Sequence, residues 1–176
     1  LDSGRVDYHE IVLTPPGVDA LYARILLAAG AYCRPTLLWL ANAGGRVGFY
    51  IEGLIAIGEA DIEQQVAALF SLRYLRRVRS CAGPGCWTED ELRRGMIEFF
   101  ISHELGHHVR PCDVHGPTCE LAADGLAGLI AKKLGFDADL GRIIAHLAGC
   151  DSAPRCSHPS RDARRERYLH EWRHAA

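Results

Sequence analysis

The sequence lacks any apolar run that could cross a lipid bilayer, which takes about 20 consecutive apolar residues in a helix. Its longest apolar stretches are Ile25–Ala29 and Leu37–Ala41, and Arg34 and Pro35 lie between them. We therefore expect membrane association only through a segment removed ahead of Leu1, because the chain does not begin with methionine.

The chain also lacks a strong charge of either sign, internal repeats and low-complexity tracts. It has 20 Lys and Arg residues against 22 Asp and Glu residues, for a net charge of −2. This balance argues against nucleic acid as a partner, since that would favour a basic surface. With 176 residues, 48% of them apolar, the chain can bury a sizeable core, and we expect one domain over residues 1–176.

Histidine and carboxylate residues recur at helical spacing in two neighbouring segments. Residues 103–107 read HELGH, and residues 120–124 read ELAAD. On a helix, residues four apart lie on one face, so His103 and His107 can reach the same metal ion. Glu104 lies beside them and can take a proton from an attacking water and pass it to a leaving group. This pattern is typical of zinc-dependent hydrolases.

The identity of the third metal ligand has one preferred answer and two alternatives. Glu120 is preferred, because a short loop would fold its helix back antiparallel to the first, and Asp124 could then orient a ligand imidazole. Asp113 lies where H-E-x-x-H-x-x-G-x-x-H/D enzymes place their third ligand, but Arg110 replaces the glycine of that pattern. His115 is also near in sequence and chemically suitable.

Periodicity and capping signals predict an α+β fold that is mostly helical. Thr88 and Glu91 form a capping box that opens a helix to about Val109. The other predicted elements are a helix that begins at residues 14–16, strands at 36–41, 46–51 and 54–57, and helices at about 59–78, 117–134, 137–147 and 159–176. We expect a small β-hairpin or sheet to pack on the helix that carries His103 and on the following helix that carries Glu120.

At these motifs the chain resembles the gluzincin clan and, within it, the HtpX-like and CAAX-prenyl-protease-like metallopeptidases. The resemblance rests first on residues 103–108 and 120–127. Residues 157–159, Ser-His-Pro, with Arg164 following, resemble the family's late T-H-P…R segment. Residues 42–55 resemble its N-A…G-G-x-I…G-L-L hairpin. These segments occur in the family's order.

The resemblance implies a metallopeptidase that binds one Zn²⁺ ion and cleaves peptide bonds. His103, His107 and Glu120 would be the zinc ligands, Glu104 the general base, and Asp124 the residue that orients a ligand histidine.

The resemblance also implies how a substrate is held. A peptide or protein substrate would bind as an extended strand along the segment 46–51. His158 would stabilise the developing oxyanion, and Asn42 and Arg164 would contact the substrate. Without the resemblance, His158 would be read as an ordinary histidine at the start of a helix.

A different class of function stays open, a zinc-stabilised binding domain that has the same fold and cleaves little or nothing. The intact Glu104 argues against it, because an inactive domain is free to lose its base. A non-peptide amidase or an aminopeptidase is a further alternative, although no carboxylate that would hold a free amine can be located.

Cysteine is abundant, with seven residues. Six of them form close pairs in sequence: Cys81 with Cys86, Cys112 with Cys119, and Cys150 with Cys156. Each pair brackets a loop, which predicts three local disulfides and a periplasmic or extracellular location. Reduced thiols, or a second zinc site that uses Cys112, His115 and Cys119, are the alternatives, and Cys33 would be a buried free thiol.

Overall fold

The computed structural model describes residues 10–31, 34–71, 87–111, 116–149 and 158–175. Within these ranges the chain forms six helices and one three-stranded sheet, which confirms the predicted α+β, mostly helical class. In chain order the elements are α1 (Val18–Ala29), β1 (Thr36–Leu40), β2 (Gly48–Ile51), β3 (Leu54–Gly58), α2 (Glu59–Ser71), α3 (Glu89–Val109), α4 (Pro117–Leu134), α5 (Ala138–Leu147) and α6 (Arg161–His174). None of the described helices has the length and apolar character that a transmembrane span requires.

The sheet has the strand order β1-β3-β2, so β3 is central and β2 is an edge strand. β3 pairs in parallel with β1 and antiparallel with β2. The hairpin therefore joins β2 to β3 through Glu52 and Gly53, whose φ values of 40° and 88° suit a tight two-residue turn. The turn predicted at residues 42–45 does not pair β1 with β2, because β3 lies between them.

The central position of β3 follows from its side chains. Ile55 and Ile57 are fully buried in the main core, which they share with side chains from the helices. Ala56, on the opposite face of the strand, packs in a small second cluster with Leu40 and Ala43. A strand buried on both faces is stable only between two neighbours, and β1 and β2 supply them.

Helix α3 forms the centre of the molecule, and its start follows the predicted capping box. The Thr88 side chain accepts a hydrogen bond from the Glu91 backbone N–H, and the Glu91 carboxylate accepts one from the Thr88 backbone N–H. The sheet lies against one side of α3, and α4 lies against another, with α6 packed on α4. This arrangement brings the first turn of α4 beside the last two turns of α3.

The three predicted disulfides are not found among the described residues. Of the seven cysteines, only Cys119 lies among the described residues, so no two described cysteines are within disulfide distance. The three-disulfide prediction and the periplasmic or extracellular location that rested on it are corrected accordingly. Cys119 itself is buried and is not a free thiol, while Cys33 lies outside the described residues.

Candidate metal centre

The last two turns of α3 carry the HELGH segment into the interior. His103, Glu104 and His107 are only 3%, 6% and 8% exposed. A long helix with a capped start holds these residues at fixed angles, with His103 and His107 one turn apart on the same face. Their rings meet edge to face, with centroids 4.9 Å apart.

A glycine inside the motif lets the next helix approach. A Cβ atom added at Gly106 would lie 2.6 Å from the Cα of Ala123 on α4. Only glycine therefore allows α3 and α4 to cross at this distance. The crossing brings Glu120, in the first turn of α4, to the two histidines.

Three ligand atoms converge at this crossing. His103 Nε2 and His107 Nε2 are 3.2 Å apart. Glu120 Oε2 is 3.3 Å from His103 Nε2, and Glu120 Oε1 is 3.5 Å from His107 Nε2. This buried group could hold a metal ion. The competing candidates Asp113 and His115 lie outside the described residues.

Asp124 contacts His103 on the side of the imidazole that faces away from Glu120. Its Oδ1 lies 2.9 Å from His103 Nδ1, as the sequence predicted for a residue that orients a ligand imidazole. A carboxylate can only accept in this contact, so His103 donates from Nδ1, and its Nε2 faces His107 and Glu120.

Burial and neighbouring charges set the pKa values of the site. Burial alone would lower the pKa of His103, but hydrogen bonds to Asp124 and Glu120 raise it to about 9. Burial would raise the pKa of Glu120, yet the hydrogen bond and charge of His103 and the charge of Arg164 lower it to about 2. Without a metal, the positive charge of protonated His103 balances the carboxylate of Glu120. A bound metal cation would replace that proton as the positive charge.

Glu104 differs from Glu120 in its protonation. Burial raises its pKa to about 7, while the positive charge of His103 opposes that rise. A carboxyl group with this pKa takes up and releases a proton near neutral pH, as a general acid–base group must.

Arg164 was predicted to contact substrate; it is among the residues that line the cavity, although its side chain is mostly buried, at 3% exposure. Its Nε and Nη2 donate to the two oxygens of Asp124 at 2.7 and 2.6 Å, and its Nη1 donates to the Ala148 carbonyl at 2.8 Å. The same guanidinium lies 3.7 Å from Glu120 Oε2. Its main contacts are therefore with the residues that support the metal group.

The other two predicted site residues differ in their position relative to the cavity. His158 is half-exposed, and its Nδ1 is 3.3 Å from Glu120 Oε2. It lines the cavity above the metal group. Asn42 is exposed and is not among the residues that line this cavity.

The metal group opens into a cavity of about 540 Å³. Edge strand β2 forms one wall, and α3 and α5 form the floor and the opposite wall. Gly48 permits the close approach of β2, because a Cβ atom there would lie 3.3 Å from Glu104 Cγ. Farther along the strand, the Tyr50 hydroxyl lies 3.0 Å from His108 Nδ1 and accepts from the Gly53 N–H.

Some cavity residues were not predicted from the sequence. Met96 and Phe100, both on α3, line the cavity. Their spacing could have indicated this, because positions 96, 100, 103 and 107 form one continuous stripe on a helix. No comparable signal exists for Gln65, which lines the cavity because α2 packs against α3.

No protein-family model matches this chain, and comparison with curated proteins and with solved structures finds no match either.

Proposed function

We propose that this protein is a zinc-dependent peptidase that cleaves bonds within extended peptide chains. The observation that carries the proposal is the convergence of the His103, His107 and Glu120 ligand atoms. Glu104, with a pKa raised to about 7, lines the same cavity. A metal triad with a free carboxylate in an open cleft is the arrangement that metal-assisted hydrolysis needs.

The residues present fit zinc. Two imidazoles and one carboxylate form a donor set of catalytic zinc sites. Ligand atoms about 2.0–2.1 Å from a tetrahedral ion stand about 3.4 Å from one another. The two imidazole nitrogens here are 3.2 Å apart, and Glu120 Oε2 is 3.3 Å from His103 Nε2. One ligand atom from each of the three residues lies within 4.8 Å of the other two. A zinc ion held there would polarise a scissile carbonyl and lower the pKa of a water molecule to about 7.

The protein's own groups would handle the proton and the substrate. Glu104 would take the proton of the attacking water and return it to the leaving amine. Its buried position keeps the carboxyl group out of bulk solvent, and Gly48 keeps β2 close beside it. Asp124 and Arg164 would hold His103 in one tautomer and orientation during the reaction.

Edge strand β2 would bind the substrate backbone. On the side away from β3, its N–H and C=O groups have no strand partner among the described residues. An extended peptide can add to such an edge, which would bring its scissile bond beside Glu104. His158, half-exposed on the cavity wall, would donate a hydrogen bond to the oxyanion as it develops.

The resemblance to HtpX-like and CAAX-prenyl-protease-like peptidases supports the same proposal. One cavity is lined by residues from each of the three described parts of the resemblance, namely His103, Glu104 and His107, then Glu120, then His158 and Arg164. From these residues we infer that the chain is a gluzincin-type peptidase.

Replacing Glu104 with Gln tests the mechanism, because Gln keeps the shape and cannot accept the proton. The expected result is one equivalent of zinc by metal analysis in both proteins, with hydrolysis of a mixed peptide library reduced at least about 100-fold in the variant. Glu98→Gln is the matched control. It removes another buried glutamate of α3, one that pairs with Arg94 and does not line the cavity, so its activity should stay near that of the parent.

Three results would contradict the proposal. An absence of bound zinc in the parent protein would remove the metal site. Undiminished hydrolysis by Glu104→Gln would remove the proposed base. Zinc binding without any hydrolysis by the parent would favour the alternative of a zinc-stabilised binding domain.

A further inference from the structure

We propose that Arg46 selects substrates with an acidic side chain two or three residues from the scissile bond. This inference rests on the proposed peptidase function and specifies the substrate class of that site. It starts from the charges that line the cavity. Arg46 and Arg164 are the two arginines among the described residues that line it, and no described lysine does.

The two arginines differ in what their guanidinium groups contact. Arg164 is buried and donates to Asp124 and to a backbone carbonyl. Arg46 is exposed, and among the described residues its side chain has no ion pair or hydrogen bond. Arg46 is therefore the arginine whose charge is available to a molecule in the cavity.

Arg46 stands on a loop that is held in place. We call residues 42–47 the rim loop, since they connect β1 to edge strand β2 at the mouth of the cavity. The carboxylate of Asp61, on α2, accepts backbone N–H groups of Ala43 at 2.5 Å and Gly45 at 2.9 Å. Asp61 is itself buried. Because the loop is hydrogen-bonded to α2 at two backbone positions, the backbone of Arg46, the next residue, is held in place.

The distance along the chain places the charge relative to the reaction. Gly48 lies against Glu104, and Arg46 precedes Gly48 by two residues, which span at most about 7 Å of backbone. A peptide paired with β2 advances by the same amount for every two residues. The guanidinium would then meet a substrate side chain two or three positions from the bond beside Glu104.

The remaining surroundings favour a carboxylate in that position. Gln65, on α2, lines the same cavity and carries no charge. The acidic side chains that line the cavity, Glu104 and Glu120, belong to the metal group at its floor. An acidic substrate side chain would thus be attracted by the charge of Arg46, and the neutral amide of Gln65 would not repel it.

Cleavage profiling of a randomised decapeptide library, with the zinc-loaded protein, tests the proposal. The parent should enrich Asp and Glu at one position two or three residues from the cut, by about two- to fivefold, as suits a partly exposed ion pair. Arg46→Glu should lose this preference and favour Lys or Arg at the same position. Arg173→Glu, an equal charge reversal on an exposed part of α6, is the control and should keep the parent profile.

The possible results separate this proposal from the peptidase itself. Cleavage by the parent without acidic enrichment, or an unchanged profile for Arg46→Glu, overturns the role of Arg46 and leaves the peptidase standing. If the parent cleaves nothing, the peptidase proposal fails, and retention of the same library on the immobilised proteins then tests Arg46 alone. Retention of acidic peptides by the parent and by Arg173→Glu, lost in Arg46→Glu, supports the charge selection, and equal retention by all three overturns it.

Discussion

Asp124 is the residue through which the metal group is tied to the last helix. Its side chain is fully buried and contacts His103 on one side and Arg164 on the other. A buried carboxylate is costly without a partner charge, and the bidentate guanidinium supplies one. The same pair holds the imidazole of His103 in the orientation that a metal ligand requires, so the support of the site and the stability of the core depend on one contact.

Asp124→Asn should weaken zinc binding by about 10- to 100-fold, the usual cost of losing the partner of a ligand histidine. Asn can still accept a hydrogen bond from His103, but it carries no charge to balance Arg164. Competition for zinc with a chromophoric chelator measures the affinity. Asp139→Asn, an exposed change in the first turn of α5, should leave it unchanged, and equal affinity for all three proteins would count against the support role.

The crossing of α3 and α4 is the feature at the scale of elements that creates the site. Gly106 is one of the two variable positions of the HELGH segment, and it faces the backbone of α4 at Ala123. The ligand from α4, Glu120, stands less than one turn before this contact. The distance between the two helices therefore decides whether the third ligand reaches the histidines.

Gly106→Ala should remove zinc binding and cost about 1–3 kcal/mol in the free energy of unfolding, as overpacking typically does. The added methyl group meets backbone that cannot move aside without separating α3 from α4. Gly95→Ala is the control on the same helix, since its methyl group meets the side chain of Leu140 on α5, away from the metal group. Both variants should lose stability in urea, but Gly95→Ala should keep its zinc; zinc retained by Gly106→Ala would show that the crossing tolerates separation.

At the scale of the whole molecule, the metal group and its partners gather several buried ionisable side chains at one place in the core. His103 and Glu104 both have pKa values raised above those of an unfolded chain, to about 9 and about 7. A raised folded-state pKa stabilises the fold below the unfolded pKa, and this stabilisation is lost as the pH rises through the folded value. For Glu104 the loss runs from about pH 4.5 to 7, and for His103 from about pH 6.5 to 9.

The metal-free protein should therefore become less stable as the pH rises from 5 to 9, by a few kcal/mol in all. Excess zinc should reduce or reverse this trend, because the ion binds deprotonated ligands and stabilises the fold that contains them. Urea unfolding at pH 5, 7 and 9, with chelator or with zinc, measures both effects. A metal-free stability that is constant or increases over this range would contradict the assignment.

Several elements could be predicted from the sequence because their signals are local. The capping box at Thr88 and the glycine that ends α4 at Gly135 mark helix ends through contacts within one turn. The spacing of His103, Glu104 and His107 determines which face of α3 they share, whatever the rest of the chain does. Glu120 and Asp124 follow the same rule on α4.

The tertiary structure decided what depends on contacts between distant segments. The order of the strands, with β3 between β1 and β2, follows from burial on two faces, which no single strand reveals. Arg164 becomes the partner of Asp124 because α6 packs on α4, a contact that the sequence did not indicate.

The sequence by itself determined which side chains are available for a metal and for proton transfer, because those are properties of residue type and helical spacing. Only the packing of α3 on α4, where Gly106 has no side chain, decided that one ligand atom from each of the three residues lies within 4.8 Å of the other two. Likewise, only the position of α2 decided that the rim loop presents Arg46 to the cavity. Distances between segments are set by the shape of the surfaces in contact, and the chain reaches those contacts only when it folds.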